Sequence, residues 1–202
     1  MNSTGATFRK HSSAGVDWAS WVLGIGLGLT LALQATTMRH SDISSVYAVV
    51  ASVSRLVALT GTFFAVVGIF LVARIPWVER GVGHDRLVTW HRKLGPWSLY
   101  LIGFHVLLIV LSSAGQDGEM LAVELWRMLN TMSWMWAALG GFILMIAAGV
   151  TSYKKARAKM SYETWWIIHI YTYVAIAASF MHQVLNGQMF INHPLNRFYW
   201  TS

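Results

Sequence analysis

The stretch His84-Asp85-Arg86-Leu87-Val88-Thr89-Trp90-His91-Arg92-Lys93-Leu94-Gly95-Pro96-Trp97-Ser98-Leu99-Tyr100-Leu101-Ile102-Gly103-Phe104-His105-Val106-Leu107-Leu108-Ile109-Val110 decides the fold. From about Leu87 to Ser113 it is apolar and long enough to cross a bilayer as a helix. It carries two histidines, His91 and His105, fourteen residues apart. On a helix that spacing is about 21 Å of rise and ends about 40° short of four full turns, so both side chains share a face. Metal-binding or ionisable side chains inside a membrane are costly and mark function. Two on one face, one near each side, point to two sites stacked along the membrane normal.

The rest of the chain agrees with a membrane setting. Of 202 residues, 55% are hydrophobic and 11% charged, less than half of the roughly 25% found in soluble domains. Apolar runs long enough to span recur, which predicts an all-α, polytopic membrane helical bundle with five transmembrane helices. The net charge of +7 falls in short loops between apolar runs. That is the signature of membrane topology with lipid as partner, not of a nucleic-acid-binding face. With no cysteine, disulfides, iron–sulfur ligation, thiolate zinc sites and covalent c-type haem attachment are excluded.

Residues 1–15 are polar and expected to form a poorly ordered cytoplasmic segment. The first helix, about Val16–Gln34, is expected to stay in place rather than be cleaved as a signal peptide. Trp18 and Trp21 suit an interfacial belt. A second helix, about Ser45–Arg74, contains Arg55, which at that depth must snorkel or meet an anion. A loop broken by Pro76, Gly81 and Gly83 leads to the helix quoted above, where Gly95, on the His91 face, would let a flat ligand approach. An acidic loop (Ala114–Asn130) precedes a fourth helix, about Thr131–Tyr153. That helix is rich in small residues and reads as a packing helix. A basic loop (Lys154, Lys155, Arg157, Lys159) leads to a fifth helix, about Glu163–Leu185, with His169 and His182. The positive-inside rule puts the N-terminus in the cytoplasm of a cell membrane. The third and fifth helices then run parallel, with His91 and His169 toward the inside and His105 and His182 toward the outside. Residues 186–202 form an external tail. His11 and His40 read as solvated, and His193, before Pro194, as a capping or turn residue.

Four histidines on two parallel helices, paired by depth, can make two bis-imidazole sites. Imidazole suits zinc, copper, nickel and haem iron alike. Haem is favoured because each level offers only two strong ligands, the lining is apolar and aromatic, and the inner end has cations for propionates. Those cations are Arg86, Arg92 and Lys93, with His84 close by. Iron ligated on both axial sides favours electron transfer over ligand chemistry. Residues 16–185 are therefore read as a haem-binding transmembrane domain. One mismatch stands out: His169 and His182 are thirteen residues apart, about 140° from four turns. A bulge, a tightened turn or rotated haems must absorb it.

Gly83-His84-Asp85-Arg86, Trp90-His91-Arg92, Gly95 and His105 form a specific set. His169 and His182 follow with twelve intervening residues, then Asn192-His193-Pro194 and Arg197-Phe198-Tyr199-Trp200. Over about residues 45–202 the chain resembles the ferric reductase-like transmembrane domain shared by ferric reductases and NADPH oxidases, in its bacterial form. The resemblance implies an oxidoreductase with two b-type haems, the inner on His91 and His169, the outer on His105 and His182. Arg55 matches an arginine that the oxidases place near the outer haem. It further implies electrons from a cytoplasmic flavin reductase domain or subunit using FAD and NADPH, and an external acceptor, a ferric chelate or oxygen. Ile109 stands where the oxidases carry a second histidine, which favours a ferric chelate or another acceptor. The sequence stops at Ser202, where the family's sixth helix would begin, so the hydride-accepting part is expected in a further segment or a partner.

Two other readings remain. One is a haem-binding membrane subunit of a multi-protein complex, either the partner of a methionine sulfoxide reductase or a quinol-linked cytochrome b. The other is a non-redox transporter or channel with polar histidines.

Overall fold

The computed structural model describes residues 13–191 and 193–201, in which all regular structure is helical. Residues 1–12, with His11, and Asn192 lie outside the described residues. Five helices are long and apolar enough to span a membrane: α1 (Ser13–Ala35), α2 (Val46–Val72), α4 (His84–Asp117), α6 (Met135–Ser152) and α8 (Tyr162–Asn186). These are the five expected spans, with bounds shifted by a few residues. Between and after them lie α3 (Pro76–Val82), α5 (Leu121–Thr131), α7 (Lys154–Arg157) and α9 (Pro194–Thr201), plus a 3-10 turn at His40–Ile43.

Local chemistry sets the boundaries. Ser45 caps α2 by accepting from the Ala48 amide at 3.1 Å, and Ser161 caps α8 by accepting from Thr164 at 3.2 Å. Pro76, expected to break a helix, instead starts α3 from its first turn, where a missing N–H costs nothing. Gly83, at φ 94°, makes the corner between α3 and α4 that a side chain would strain. His84 is consequently the first residue of α4 rather than a loop residue. The helix continues through Gly95-Pro96 without a break.

Two close pairs form the body of the bundle, α2 with α4 and α6 with α8. At the α2–α4 crossing, Gly61 lies under Leu101 and Ile102, where a Cβ would come within 3.1 Å of the Leu101 Cβ. Ser98 donates to the Gly61 carbonyl at 2.9 Å, and Ser112 to the Tyr47 carbonyl at 2.6 Å. At the α6–α8 crossing, Gly141 abuts the Ala175 backbone and Ala175 is fully buried. Small residues thus bring these backbones together, as in other membrane bundles. By contrast, α4 and α8, which carry the four histidines, make almost no direct backbone contact among the described residues. Large apolar side chains such as Trp97, Tyr100, Leu107 and Val174 stay exposed, as lipid-facing residues do.

Two segments differ from expectation. The acidic loop contains α5, whose Glu124 is buried and tied to α4 by Ser113 (2.6 Å) and to Arg127, while Leu121, Leu125 and Trp126 are exposed. In the C-terminal stretch, a helix, α9, follows α8, and Met189 and Phe190 are buried against Leu59, Leu33, Val184 and Trp200. From α9, Tyr199 donates to the Gly26 carbonyl of α1 at 3.1 Å and lies 3.2 Å from the Thr30 hydroxyl. His193 immediately precedes α9, its carbonyl accepting from the Arg197 amide, in keeping with a capping role.

Candidate functional site

α4 and α8 each bring one histidine to each of two levels. At one level the His91 and His169 rings have centroids 6.0 Å apart, with planes at 74°. Two imidazoles on opposite sides of one metal ion, with bonds of about 2 Å, place their ring centres about 6 Å apart. The other level is formed by His105 of α4 and His182 of α8. All four side chains are half-buried. The awkward spacing on α8 is not relieved by a bulge or a tightened turn, because α8 is an unbroken α-helix from Tyr162 to Asn186.

The Nδ1 atoms have neighbours on α2, α6 and α8. His91 Nδ1 donates to the Gly68 carbonyl at 2.9 Å. His105 Nδ1 faces the Ser54 carbonyl at 3.1 Å and the Ser54 hydroxyl at 2.8 Å, and that hydroxyl donates to the His105 carbonyl at 3.0 Å. His169 Nδ1 lies 3.5 Å from the Ser152 hydroxyl. An Nδ1–H held by oxygen leaves Nε2 with its lone pair, the tautomer that ligates metals, so three of the four suit a metal ligand directly. His182 differs. Its Nδ1 is 3.1 Å from Asn186 Nδ2, which also donates to the Ser133 carbonyl at 2.7 Å. The same Nδ2 donates to the His182 carbonyl at 3.0 Å, so two carbonyls hold the amide nitrogen on this side. Sequence reading missed these partners, although Asn186 sits one helical turn after His182.

Gly95 has nothing within 4 Å of a notional Cβ, so the α4 face one turn beyond His91 is open. The expected cations divide in two. Arg86, Arg92 and Lys93 are exposed, with no ion pair among the described residues. Arg55 meets an anion: it pairs with Asp42 at 3.1 Å and bonds Gln188, its side chain 21% exposed. Asp42 is held below the ordinary carboxylate range, first by the Arg39 backbone N–H at 2.7 Å and then, against the cost of burial, by Arg55. His84 sits 3.9 Å from Glu79, and His40 is exposed in its turn.

The arrangement can supply two nitrogen ligands at each of two levels, between helices that do not themselves pack. No group of three or more metal-binding side chains occurs among the described residues. No curated protein and no solved structure matches the chain. One family pattern does, described as ferric reductase like transmembrane component, over residues 56–180. The match takes in His91, His105 and His169 and ends two residues before His182. Covering more than half of the sequence, it establishes that the chain belongs to the ferric reductase-like transmembrane components, membrane oxidoreductases of electron transfer.

Proposed function

We propose that this chain carries single electrons across the cell membrane between two stacked bis-histidine sites, His91 with His169 on the inner side and His105 with His182 on the outer. The observation that supports this best is the inner pair, two imidazoles from separate helices with centroids 6.0 Å apart. When bound, two b-type haems supply one-electron carriers at these positions. His91 and His105 hold their ligand nitrogens at fixed angles, because α2 oxygens grip the opposite side of each ring. Arg86, Arg92 and Lys93, exposed near the inner level, offset propionate charge there. At the outer end Arg55, already half-neutralised by Asp42, does so more weakly. The apolar walls keep water from the path between levels about 21 Å apart along α4.

The basic loops put the N-terminus and the His91–His169 level on the cytoplasmic side. A flavin reductase domain or subunit using FAD and NADPH supplies electrons there, and a ferric chelate outside accepts them. A cytoplasm-negative potential favours this direction by about 2.3 kcal/mol per 100 mV for each charge that crosses fully. The test is a reduced-minus-oxidised spectrum with haem quantitation, on the wild type, His105→Ala and His169→Ala. Two haems per chain falling to one in each variant supports the proposal. A colourless wild-type protein, correctly inserted with haem supplied, refutes it.

A further inference from the structure

His169 is the least firmly bonded of the four histidines. His91 and His105 have carbonyl acceptors at 2.9 and 3.1 Å, whereas the Ser152 hydroxyl is 3.5 Å from His169 Nδ1, at the limit of a hydrogen bond. What meets its ring instead is an indole. Trp165, one helical turn earlier on α8, stacks on His169 with centroids 5.0 Å apart and planes 21° from parallel. The same indole donates from Nε1 to the Ser152 hydroxyl at 3.1 Å. It therefore fixes the hydroxyl that faces His169 while covering a face of the imidazole. Arg157 completes the set. Its guanidinium carbon lies 5.0 Å from the Trp165 ring centroid, within cation–π range, and its Nη1 donates to the Met160 carbonyl at 3.1 Å.

We propose that Trp165 is the positioning residue of His169, and that Arg157 anchors it from the basic segment between α6 and α8. The inference rests on the bis-histidine reading above and adds a residue to it. An interfacial tryptophan that only anchors the helix in the head-groups is the competing explanation, and the neighbouring residue provides the control. Trp166 is 49% exposed and makes no ring contact among the described residues. If depth in the membrane were all that mattered, the two tryptophans would be equivalent.

The stack does two jobs. It restricts rotation of the His169 ring about its side-chain bonds, which keeps Nε2 on the side of His91. Through Ser152 it also keeps an oxygen at Nδ1, which sets the basicity of the ligand nitrogen. Loss of a partner of this kind weakens metal retention by about 10- to 100-fold. The outer pair shares none of these contacts, so it reports whether the bundle is still folded.

The experiment uses the full chain expressed with haem supplied, as wild type, Trp165→Ala, Trp165→Phe and Trp166→Ala. Haem release to a scavenging apoprotein, the inner midpoint potential and the low-spin EPR signal are recorded. Trp165→Ala is expected to release the inner haem at least about tenfold faster while keeping the outer one. Trp165→Phe, which keeps a ring but loses the N–H, is expected to retain both haems with a shifted inner potential and EPR signal. Trp166→Ala is expected to match the wild type. Three results would overturn the inference while leaving two haems in the wild type: an unchanged inner site in Trp165→Ala, equal effects of the two alanine variants, or loss of both haems together. A wild type without haem would instead sink the bis-histidine reading itself.

Discussion

Replacing Ser54 with alanine removes one of the two oxygens that face His105 Nδ1 and leaves the other. The hydroxyl lies 2.8 Å from Nδ1 and the Ser54 carbonyl 3.1 Å. The hydroxyl also donates to the His105 carbonyl at 3.0 Å, so its proton is engaged and its oxygen is free to accept. Deleting it should not orphan the Nδ1–H, because the carbonyl remains in range. The loss is one shared hydrogen bond, about 1 kcal/mol, or about fivefold in affinity. That is below the 10- to 100-fold typical when a ligand's only partner is removed. The assay is release of each haem to excess scavenging apoprotein, followed in the Soret band, with the inner haem as internal reference. Outer release about fivefold faster, with inner release unchanged, is the expected result. An outer site indifferent to Ser54→Ala would show that the Ser54 hydroxyl does not help to orient His105. A loss of a hundredfold would show that the carbonyl contributes nothing.

Gly61→Ala places a methyl against the Leu101 Cβ and the Ile102 backbone, so α2 and α4 must part. Thermal unfolding in detergent should show a loss of about 1–3 kcal/mol, and no loss would mean that the crossing is slack. Asn186→Asp gives His182 Nδ1 an oxygen acceptor in place of an amide nitrogen, so the outer midpoint potential should move to more negative values in a redox titration. A positive shift would argue against ligation by His182. For Asp42, the folded carboxyl titrates below its unfolded value, so its stabilising effect is complete above the ordinary carboxylate pKa and fades as pH falls through the depressed one. The thermal midpoint of wild type minus that of Asp42→Asn should therefore be positive near about pH 7 and shrink as the pH falls below the ordinary carboxylate range. A difference constant across that range would show that the carboxylate's charge is not what counts.

The spans were legible because a bilayer demands long apolar helices, and few other readings fit the stretch from His84 to Val110. The paired depths of the histidines followed from helix rise alone. What the sequence hid is instructive. Pro76 reads as a breaker in isolation but begins a helix, since only its position relative to the first turn decides. α5 was invisible as a helix because its buried face includes Glu124 while its exposed face includes Trp126, the reverse of the pattern expected in water. Ser54, Gly68 and Ser152 carry no mark of their roles. Small residues in membrane helices usually serve packing, and only the pairing of α2 with α4 and of α6 with α8 brings them to the histidines. Trp165 lies four positions before His169, the spacing at which two rings on one helix can meet.

The bond from Tyr199 to Gly26 joins positions 173 residues apart. During synthesis α1 enters the membrane long before its partner is made, and it touches α2 and α3 along only part of its length. The Thr30 hydroxyl donates to the Gly26 carbonyl at 2.9 Å within α1, and Tyr199 adds a second donor to that carbonyl while Phe190 and Trp200 pack with Leu33. The contact between α1 and α9 therefore cannot form until Tyr199 has been synthesised, which makes it a late step of assembly. Variants at Tyr199 should show up first as defects in insertion and yield.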